Sequence, residues 1–310
     1  MGMNKMPRLF PFLLSTFIVT ICYGQERAVG CAWLNIPVGI REAALAGAGT
    51  AISLGPQGIF YNPAATAQHV PFSAHIEYTK WFLDIHHQAL FVSRDLNYFA
   101  LGLGVVSFSS GRFEYREEIP CEEPLGTFSP LDFTGYLNIA RPLTSWADAG
   151  ITARYFYSKI MSYELAGLGI DIGARFYPRK NFSIGAAIVN FGRTVSYKYQ
   201  LIWLPVRARG GVAYSLPVGQ SNLLLEVDAS WFFYSQKGDV QLGTEFFWGK
   251  ILSLRVGYDI INPGNHIDFG LGVTTKRFRL DYAFVPFEFG LGSSHRFGID
   301  YEIPALDLMR

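Results

Sequence analysis

The side chains best suited to catalysis or metal binding are scattered along this chain. Of its six histidines, His86 and His87 would point to opposite faces of a strand, and no Cys/His set has zinc spacing. Glu226 and Asp228 share one strand face, but each has cationic strand neighbours available to pair with. The stretch "GLGSS" at 290–294 lacks the G-x-S-x-G pattern of a nucleophile elbow. The sequence therefore predicts a protein that is not an enzyme and uses no metal or cofactor.

The composition indicates a membrane β-barrel. The chain has 310 residues, of which half are hydrophobic and 16% are aromatic, with a formal net charge of +1. Only 16% of the residues are charged, against about 25% in soluble domains. Few charges, many aromatics and 32 glycines suit a barrel with one face in lipid. No acidic or basic block suggests a nucleic-acid partner, so we expect none.

The N-terminus has the pattern of a secretory signal peptide. Lys5 and Arg8 precede the apolar run "LFPFLLSTFIVTI", and Gly24 offers a small residue for cleavage. The run is too short for a spanning helix, which needs about 20 residues. We therefore expect residues 1–24 to be removed. The mature chain would keep Cys31 and Cys121, and the sequence leaves open whether they form a disulfide or stay free thiols.

From about residue 71 onward, the chain alternates with the period of a β-strand. Near the C-terminus, Leu280 and Tyr282 point one way, and Arg279 and Asp281 point the other. One face of such strands is apolar, and the opposite face mixes charged residues with Gly and Ser. A lumen some fourteen strands wide is too large for apolar side chains to fill. The apolar face is therefore expected to meet lipid, with the charged face lining a wet lumen.

The alternating runs predict an all-β fold, a transmembrane antiparallel β-barrel of about fourteen strands spanning residues 71–310. An even number of strands is typical of barrels in the outer membrane of Gram-negative bacteria. We expect lumenal charges on opposite strands to link them through charge-assisted hydrogen bonds. The candidates are Arg207, Arg209, Glu226, Asp228, Arg255, Asp259, Arg279 and Asp281.

Two further features are predicted for the ends of the barrel. The insert at 111–130 is the longest between strands and reads as an irregular external loop, whose carboxylates favour a partner with a basic patch. Its acidic residues are Glu114, Glu117, Glu118, Glu122 and Glu123. Tryptophans at or near strand ends predict an aromatic girdle at the membrane interface. They are Trp81, Trp146, Trp203, Trp231 and Trp248.

Residues 25–70 precede the first strand and predict a hatch that plugs the lumen. Asn62 can cap a short helix, and Pro63 fits its first position, where a missing N–H costs nothing. Ala64 and its small neighbours allow close approach to the wall. A helix this short needs a groove to pack in. Arg41 and Glu42 are expected to meet the charged faces of the strands.

The chain resembles the PorV/PorQ family of outer-membrane proteins, which is similar in turn to the FadL-type transporters. The resemblance is carried by "REAALAGAGTAISLGPQGIFYNPAATA" and by the C-terminal "RLDYAFVP" and "SHRFGIDY". It implies a component of type IX protein secretion that binds a translocon or exported cargo through its loops and rim. Two alternatives remain open. One is a FadL-like channel for lipophilic small molecules, against which the mixed charges of the lumen argue; the other is an open pore for polar solutes, against which the plug argues.

Overall fold

The computed structural model describes residues 30–53, 55–68, 70–81, 85–116, 123–195, 202–261, 267–288 and 290–303. The described residues form sixteen strands, and fourteen of them close into one antiparallel barrel. The strands are β1 (Phe72–Lys80), β2 (Ile85–Asp95), β3 (Ala100–Ser110), β4 (Phe113–Tyr115), β5 (Gly126–Phe128), β6 (Leu131–Thr144), β7 (Ala147–Ile160), β8 (Tyr163–Arg179), β9 (Phe182–Val195), β10 (Arg207–Val218), β11 (Ser221–Phe232), β12 (Lys237–Trp248), β13 (Leu252–Asp259), β14 (Ile267–Thr274), β15 (Phe278–Pro286) and β16 (Ser293–Ile303).

The barrel follows the order of the chain with one interruption. Neighbouring strands pair in sequence, β3 pairs with β6, and β1 pairs with β16 to close the sheet. The predicted fourteen-stranded barrel is confirmed. The insert after β3 is not wholly irregular as predicted, because β4 and β5 form a separate two-stranded hairpin there. Cross-strand pairing within the insert supplies backbone hydrogen bonds that its charged sequence did not reveal.

The two faces of the wall differ in the predicted sense. Along β13, Leu254 and Val256 are 45% and 47% exposed on the outside, whereas Ser253 and Arg255 are buried on the inside. The same alternation recurs around the barrel, with Leu, Ile, Val, Phe and Tyr outside. Apolar side chains facing outward on a closed barrel are stable when lipid surrounds it. No helix among the described residues is long and apolar enough to cross a membrane.

The connections distinguish the two ends of the barrel. At the end that holds the start of β1 and the finish of β16, two to four residues join successive strands. We call it the turn end. At the opposite end, the loop end, connections reach twenty residues, between β3 and β6. Outer-membrane barrels have short periplasmic turns and longer extracellular loops, which places the loop end outside the cell.

The tryptophans follow the girdle prediction in part. Trp146, Trp231 and Trp248 lie at or near strand ends on the exposed outer surface, as expected for rings at a membrane interface. The prediction is wrong for Trp81, whose ring packs against Phe108 and Phe287 and lines a lumenal cavity. Trp203 lies outside the strands, in the connection between β9 and β10, with its ring 6.3 Å from Tyr234.

The residues before β1 lie against the inward faces of the strands. We call residues 30–68 the N-terminal segment. It contains helix α1 (Ile40–Ala43) and three 3-10 helices, Ala32–Asn35, Pro56–Phe60 and Pro63–Ala67. Its apolar residues form the core together with the wall, as where Ile59 and Tyr61 pack with Phe91 and Tyr136. The predicted signal peptide lies outside the described residues. So does residue 121, and with it the question of a disulfide to Cys31.

Candidate functional site

One carboxylate of the wall holds the middle of the N-terminal segment. Asp228 on β11 accepts hydrogen bonds from the backbone N–H groups of Gly49 and Thr50, at 3.0 and 2.9 Å. The hydroxyl of Thr50 donates to the same oxygen at 2.6 Å. Asp228 and Thr50 are both fully buried. Hydrogen bonds to a charged acceptor are worth about twice neutral ones, so this is a strong attachment of the segment to the barrel.

Arg209 on β10 completes this attachment. Its guanidinium donates to Asp228 at 3.2 Å, to the Thr50 hydroxyl at 3.0 Å and to the carbonyl of Gly47 at 2.8 Å. It also lies 4.8 Å from the centre of the Tyr61 ring, a cation–π distance. The predicted lumenal charges Arg209 and Asp228 therefore do pair across neighbouring strands. Most of their bonding capacity, however, goes to the N-terminal segment.

The Asn-Pro-Ala corner has the predicted cap. The side-chain oxygen of Asn62 accepts from the N–H of Ala64 at 3.0 Å, and Pro63 occupies the first turn. The Asn62 amide also donates to the carbonyls of Thr50 and Ala174, each at 3.0 Å. One side chain thus caps the helix, ties it to the preceding turn and ties both to β8. The helix is a 3-10 helix.

Arg175 on β8 also binds the N-terminal segment. This role was not predicted from the sequence. Its guanidinium donates to the carbonyls of Ser53, Ala64 and Ala65, at 2.7, 3.1 and 2.9 Å. Those carbonyls belong to short turns, whose ends leave backbone acceptors without helical partners. The stretch "DIGAR" does indicate where Arg175 points, because alternation that starts with Asp171 on the inward face places Arg175 on the same face.

The start of helix α1 is held by an extended charge network. Arg41 donates twice to Glu245 on β12, at 2.9 and 2.6 Å. Glu245 also accepts from Arg255, which reaches Asp281 at 2.6 Å. From Asp281, the network continues through Arg279 to Asp300 on β16. The prediction that Arg41 meets a charged strand face agrees with these contacts, and Arg255, Arg279 and Asp281 do link strands.

Glu42 behaves differently from its neighbour. It is fully buried, and neither carboxylate oxygen has a hydrogen-bond partner among the described residues. Burial raises the pKa of Glu42 above its ordinary value, although Arg41 and Arg279 oppose the shift. On β11, the predicted lumenal residue Glu226 likewise has both oxygens buried without a hydrogen-bond partner among the described residues. Glu226 therefore does not make the cross-strand hydrogen bonds predicted for the lumenal charges, and Glu42 does not hydrogen-bond to the charged strand faces that it was expected to meet.

Glycines in the wall let the segment approach its backbone. A side chain at Gly185 on β9 would overlap the carbonyl of Thr50, and one at Gly150 on β7 would overlap the carbonyl of Pro63. Gly210, on the neighbouring strand β10, faces outward, and a side chain there would meet no atom within 4 Å. The backbone of the segment therefore comes so close to the wall at Gly185 and Gly150 that only glycine fits there.

The segment lies between two cavities. The cavity at the loop end has a volume of about 430 Å³ and is lined by Phe60 and Tyr61 of the segment. The barrel adds the rings of Trp81, Phe232 and Phe287. The cavity at the turn end has a volume of about 410 Å³ and is lined by the other side of the segment, including Arg41 and Ile52, together with Arg175, Arg255 and Arg279.

Charged residues surround the aromatic lining at the loop end. Arg207 lies 4.6 Å from the centre of the Phe232 ring and 3.6 Å from Asp239. Asp259 also lines this cavity and accepts from the N–H of Ile261 at 3.1 Å. The lining of the cavity thus combines aromatic rings with charged side chains, and small-molecule sites typically combine aromatic walls with a small number of polar groups.

Of the acidic insert, only part is described. Glu114 is exposed and pairs with Arg116 at 2.9 Å, and Glu123 is exposed at the other side of the hairpin. Glu117, Glu118 and Glu122 lie outside the described residues. The described residues of the insert do not line either cavity.

No protein-family model and no curated protein matches the sequence. Solved structures match it in fold. The toluene transporter TbuX of Ralstonia pickettii is 12% identical with a TM-score of 0.62, covering 86% of this chain and 98% of that one. The toluene transporter TodX of Pseudomonas putida is 11% identical with a TM-score of 0.61, covering 90% and 99%. A FadL homologue of Pseudomonas aeruginosa is 11% identical with a TM-score of 0.57, covering 90% and 100%.

The chain has the fold of the FadL-like outer-membrane barrels. The predicted outer-membrane β-barrel of Gram-negative type is confirmed. The resemblance to the PorV/PorQ family is not supported, and neither are protein partners. The predicted role in type IX secretion is wrong: the structures that share this fold include two toluene transporters and a monoaromatic hydrocarbon channel. The sequence misled because the motifs behind that resemblance form the packed N-terminal segment and the closing strands β15 and β16, and such features specify a fold and not a function.

Proposed function

We propose that this barrel is a transport channel for small apolar molecules, with the N-terminal segment as its hatch. The observation that carries the proposal is the position of the segment between two lumenal cavities, one on each side of it. A solute that enters at the loop end meets the segment before it can reach the turn end. The attachments through Asp228 and Arg175 define what must loosen for passage.

The loop-end cavity suits an aromatic solute. Its volume of about 430 Å³ exceeds the ~150 Å³ that suffices to hold benzene in an apolar cavity. Phe60, Phe232 and Phe287 present ring faces and edges, with which aromatic ligands pack favourably. Proteins named as toluene transporters and as a monoaromatic hydrocarbon channel share the fold, which supports monoaromatic hydrocarbons as the substrate class.

The charged lining is compatible with this function. From sequence alone, the mixed charges of the lumen argue against an apolar path. In the structure, Arg209, Asp228, Arg255 and Asp281 bond to the segment or to one another. Charged groups that are paired in this way leave fewer unsatisfied polar atoms facing an apolar solute than isolated charged groups would.

Binding and uptake of naphthalene, a fluorescent aromatic hydrocarbon, test the proposal. The purified full chain should bind it with quenching of tryptophan fluorescence, and a Phe232→Ala/Phe287→Ala variant should bind about tenfold more weakly, a loss of ~1.4 kcal/mol. Phe113→Ala is the matched control, since Phe113 lies in the loop-end hairpin and not in the cavity lining. Gram-negative cells that express the chain should take up naphthalene faster than cells that do not. Equal uptake would overturn the proposal.

A further inference from the structure

A row of basic side chains crosses the outer surface of the barrel at the loop end. Lys80 on β1 lies directly opposite His86 on β2 and opposite His295 on β16. Residues directly opposite each other in an antiparallel sheet point to the same face, with Cβ atoms about 4.5–5.5 Å apart. Lys80 and His295 are exposed on the outer face. Apolar residues such as Ile76 and Phe297 occupy that face immediately below them.

Two tyrosines fix the imidazoles in this row. The hydroxyl of Tyr78 lies 2.8 Å from Nδ1 of His86, and the hydroxyl of Tyr282 lies 2.8 Å from Nδ1 of His295. When a tyrosine hydroxyl donates to Nδ1, a neutral imidazole carries its proton on Nε2 and can donate it outward. Ser293 lies 3.3 Å from Nε2 of His295 and extends the polar row. The row therefore offers an ammonium group and the oriented Nε2–H of His86, while His295 shares its Nε2 with the Ser293 hydroxyl.

An apolar groove begins directly beneath the row. It has a volume of about 740 Å³, and Tyr78 at its upper margin is also the hydrogen-bond partner of His86. Its lining includes Ile76, Leu90, Phe297 and Ile299, all exposed on the outer face. The groove runs over the same strands β1, β2 and β16 that carry the row. The hydrogen-bond donors match a negatively charged lipid head group, and the apolar groove below them matches the acyl chains of the same lipid.

We propose that this surface binds a phosphorylated lipid of the outer leaflet. The phosphate would lie on His86, Lys80 and His295, and the acyl chains would occupy the groove below. Lysine binds phosphate as a point charge, and N–H donors to a phosphate oxygen form charge-assisted hydrogen bonds. The loop end lies outside the cell, so the leaflet concerned is the outer one. The proposal is independent of the transport function, because the row faces lipid and the cavities face the lumen.

Native mass spectrometry of the full chain, released from detergent, tests this surface. The probes are bisphosphorylated lipid A and the same lipid after removal of its phosphates. The wild-type chain should retain one bisphosphorylated lipid, and the variant Lys80→Ala/His86→Ala/His295→Ala should retain it about tenfold less, the loss expected for one or two charge-assisted hydrogen bonds. Lys237→Ala is the matched control, an exposed lysine at the loop end of β12.

Three results would overturn the proposal. Equal retention of the dephosphorylated lipid would show that the groove alone binds. Displacement of the lipid by millimolar inorganic phosphate would identify a site for free phosphate. An equal loss in Lys237→Ala would show that any loop-end charge suffices. Heat-modifiable mobility in gels confirms that each variant is a folded barrel, so a loss of lipid in the triple variant cannot be ascribed to misfolding.

Discussion

Thr50 donates its hydroxyl hydrogen to Asp228 across 2.6 Å, although 178 positions separate the two residues in the chain. The same Asp228 oxygen accepts the backbone N–H of Thr50 at 2.9 Å. One residue of the N-terminal segment is thus held through both its backbone and its side chain by one carboxylate of the barrel. Contacts of this kind hold the segment between the two cavities, as the proposed gated channel requires.

Removal of the Asp228 carboxylate should release the middle of the segment. Asp228→Ala leaves the Arg209 guanidinium buried without its counterion, and breaking a buried ion pair costs about 3–5 kcal/mol. Hydrogen–deuterium exchange at residues 47–53 should accelerate more than elsewhere in the segment, and naphthalene uptake should rise. Glu164→Ala serves as the control, since Glu164 pairs with Lys159 at 3.0 Å on the exposed surface and lines neither cavity. Unchanged exchange in Asp228→Ala would contradict the assigned role.

Arg175 should hold the second half of the segment. Arg175→Met keeps much of the side-chain length but leaves the carbonyls of Ser53, Ala64 and Ala65 without their donor, each costing about 1–3 kcal/mol if it stays buried. We expect protease cleavage within residues 53–68 in the intact variant barrel and not in the wild type. Arg94→Met, on the exposed outer face of β2, should cleave like the wild type. Resistance of Arg175→Met would refute the prediction.

We expect that Gly185 on β9 tolerates no side chain, whereas Gly210 on β10 does. Gly185→Val places a side chain against the carbonyl of Thr50, so the segment must move away from β9. Gly210→Val meets open space on β10. We expect faster hydrogen exchange around residue 50 and a lower melting temperature in Gly185→Val only. Equal effects of the two substitutions would mean that the segment does not contact this part of the wall.

Glu42 should make the attachment of the segment depend on pH. Its pKa in the folded protein is raised by burial, so the folded state binds a proton that the unfolded segment has lost at its ordinary pKa. Folding of the segment is therefore favoured below the ordinary pKa and weakens as the pH rises through the range between the two values. Glu42→Gln removes this dependence. Hydrogen exchange of residues 40–47 should be slower in the variant at pH 8 and unchanged at pH 4; a difference at pH 4 alone would contradict the sign.

Much of the fold was accessible from sequence because strands in a barrel repeat one simple pattern. Alternation along "RFRLDYAF" assigns Arg279 and Asp281 to the lumen without any knowledge of their partners. The Asn62 cap was equally accessible, since cap and turn are local features. Closure into a barrel of fourteen strands then follows from counting such runs.

The partners of the lumenal charges could not be predicted, because they depend on contacts distant in sequence. The charges were expected to link strands, yet Arg209 and Asp228 bond chiefly to Gly47, Gly49 and Thr50. Arg175 was overlooked because its acceptors are backbone carbonyls of the segment and not carboxylates. The choice of function failed for a related reason: motifs that pack the segment specify a fold, and a fold serves several functions.

The most direct test of the proposed channel is a reversible disulfide between the N-terminal segment and the barrel wall. The Cβ of Ala48 lies 3.5 Å from the position that a Cβ would take at Gly243 on β12, within the range of about 3.5–4.5 Å that a disulfide requires. In cells that express Ala48→Cys/Gly243→Cys, we predict that naphthalene uptake falls to the level of cells without the protein after oxidation. Reduction with dithiothreitol should restore it, while each single variant stays unaffected by either treatment. Equal uptake in the oxidised and reduced states, with the disulfide verified by mass spectrometry, would contradict passage through the lumen.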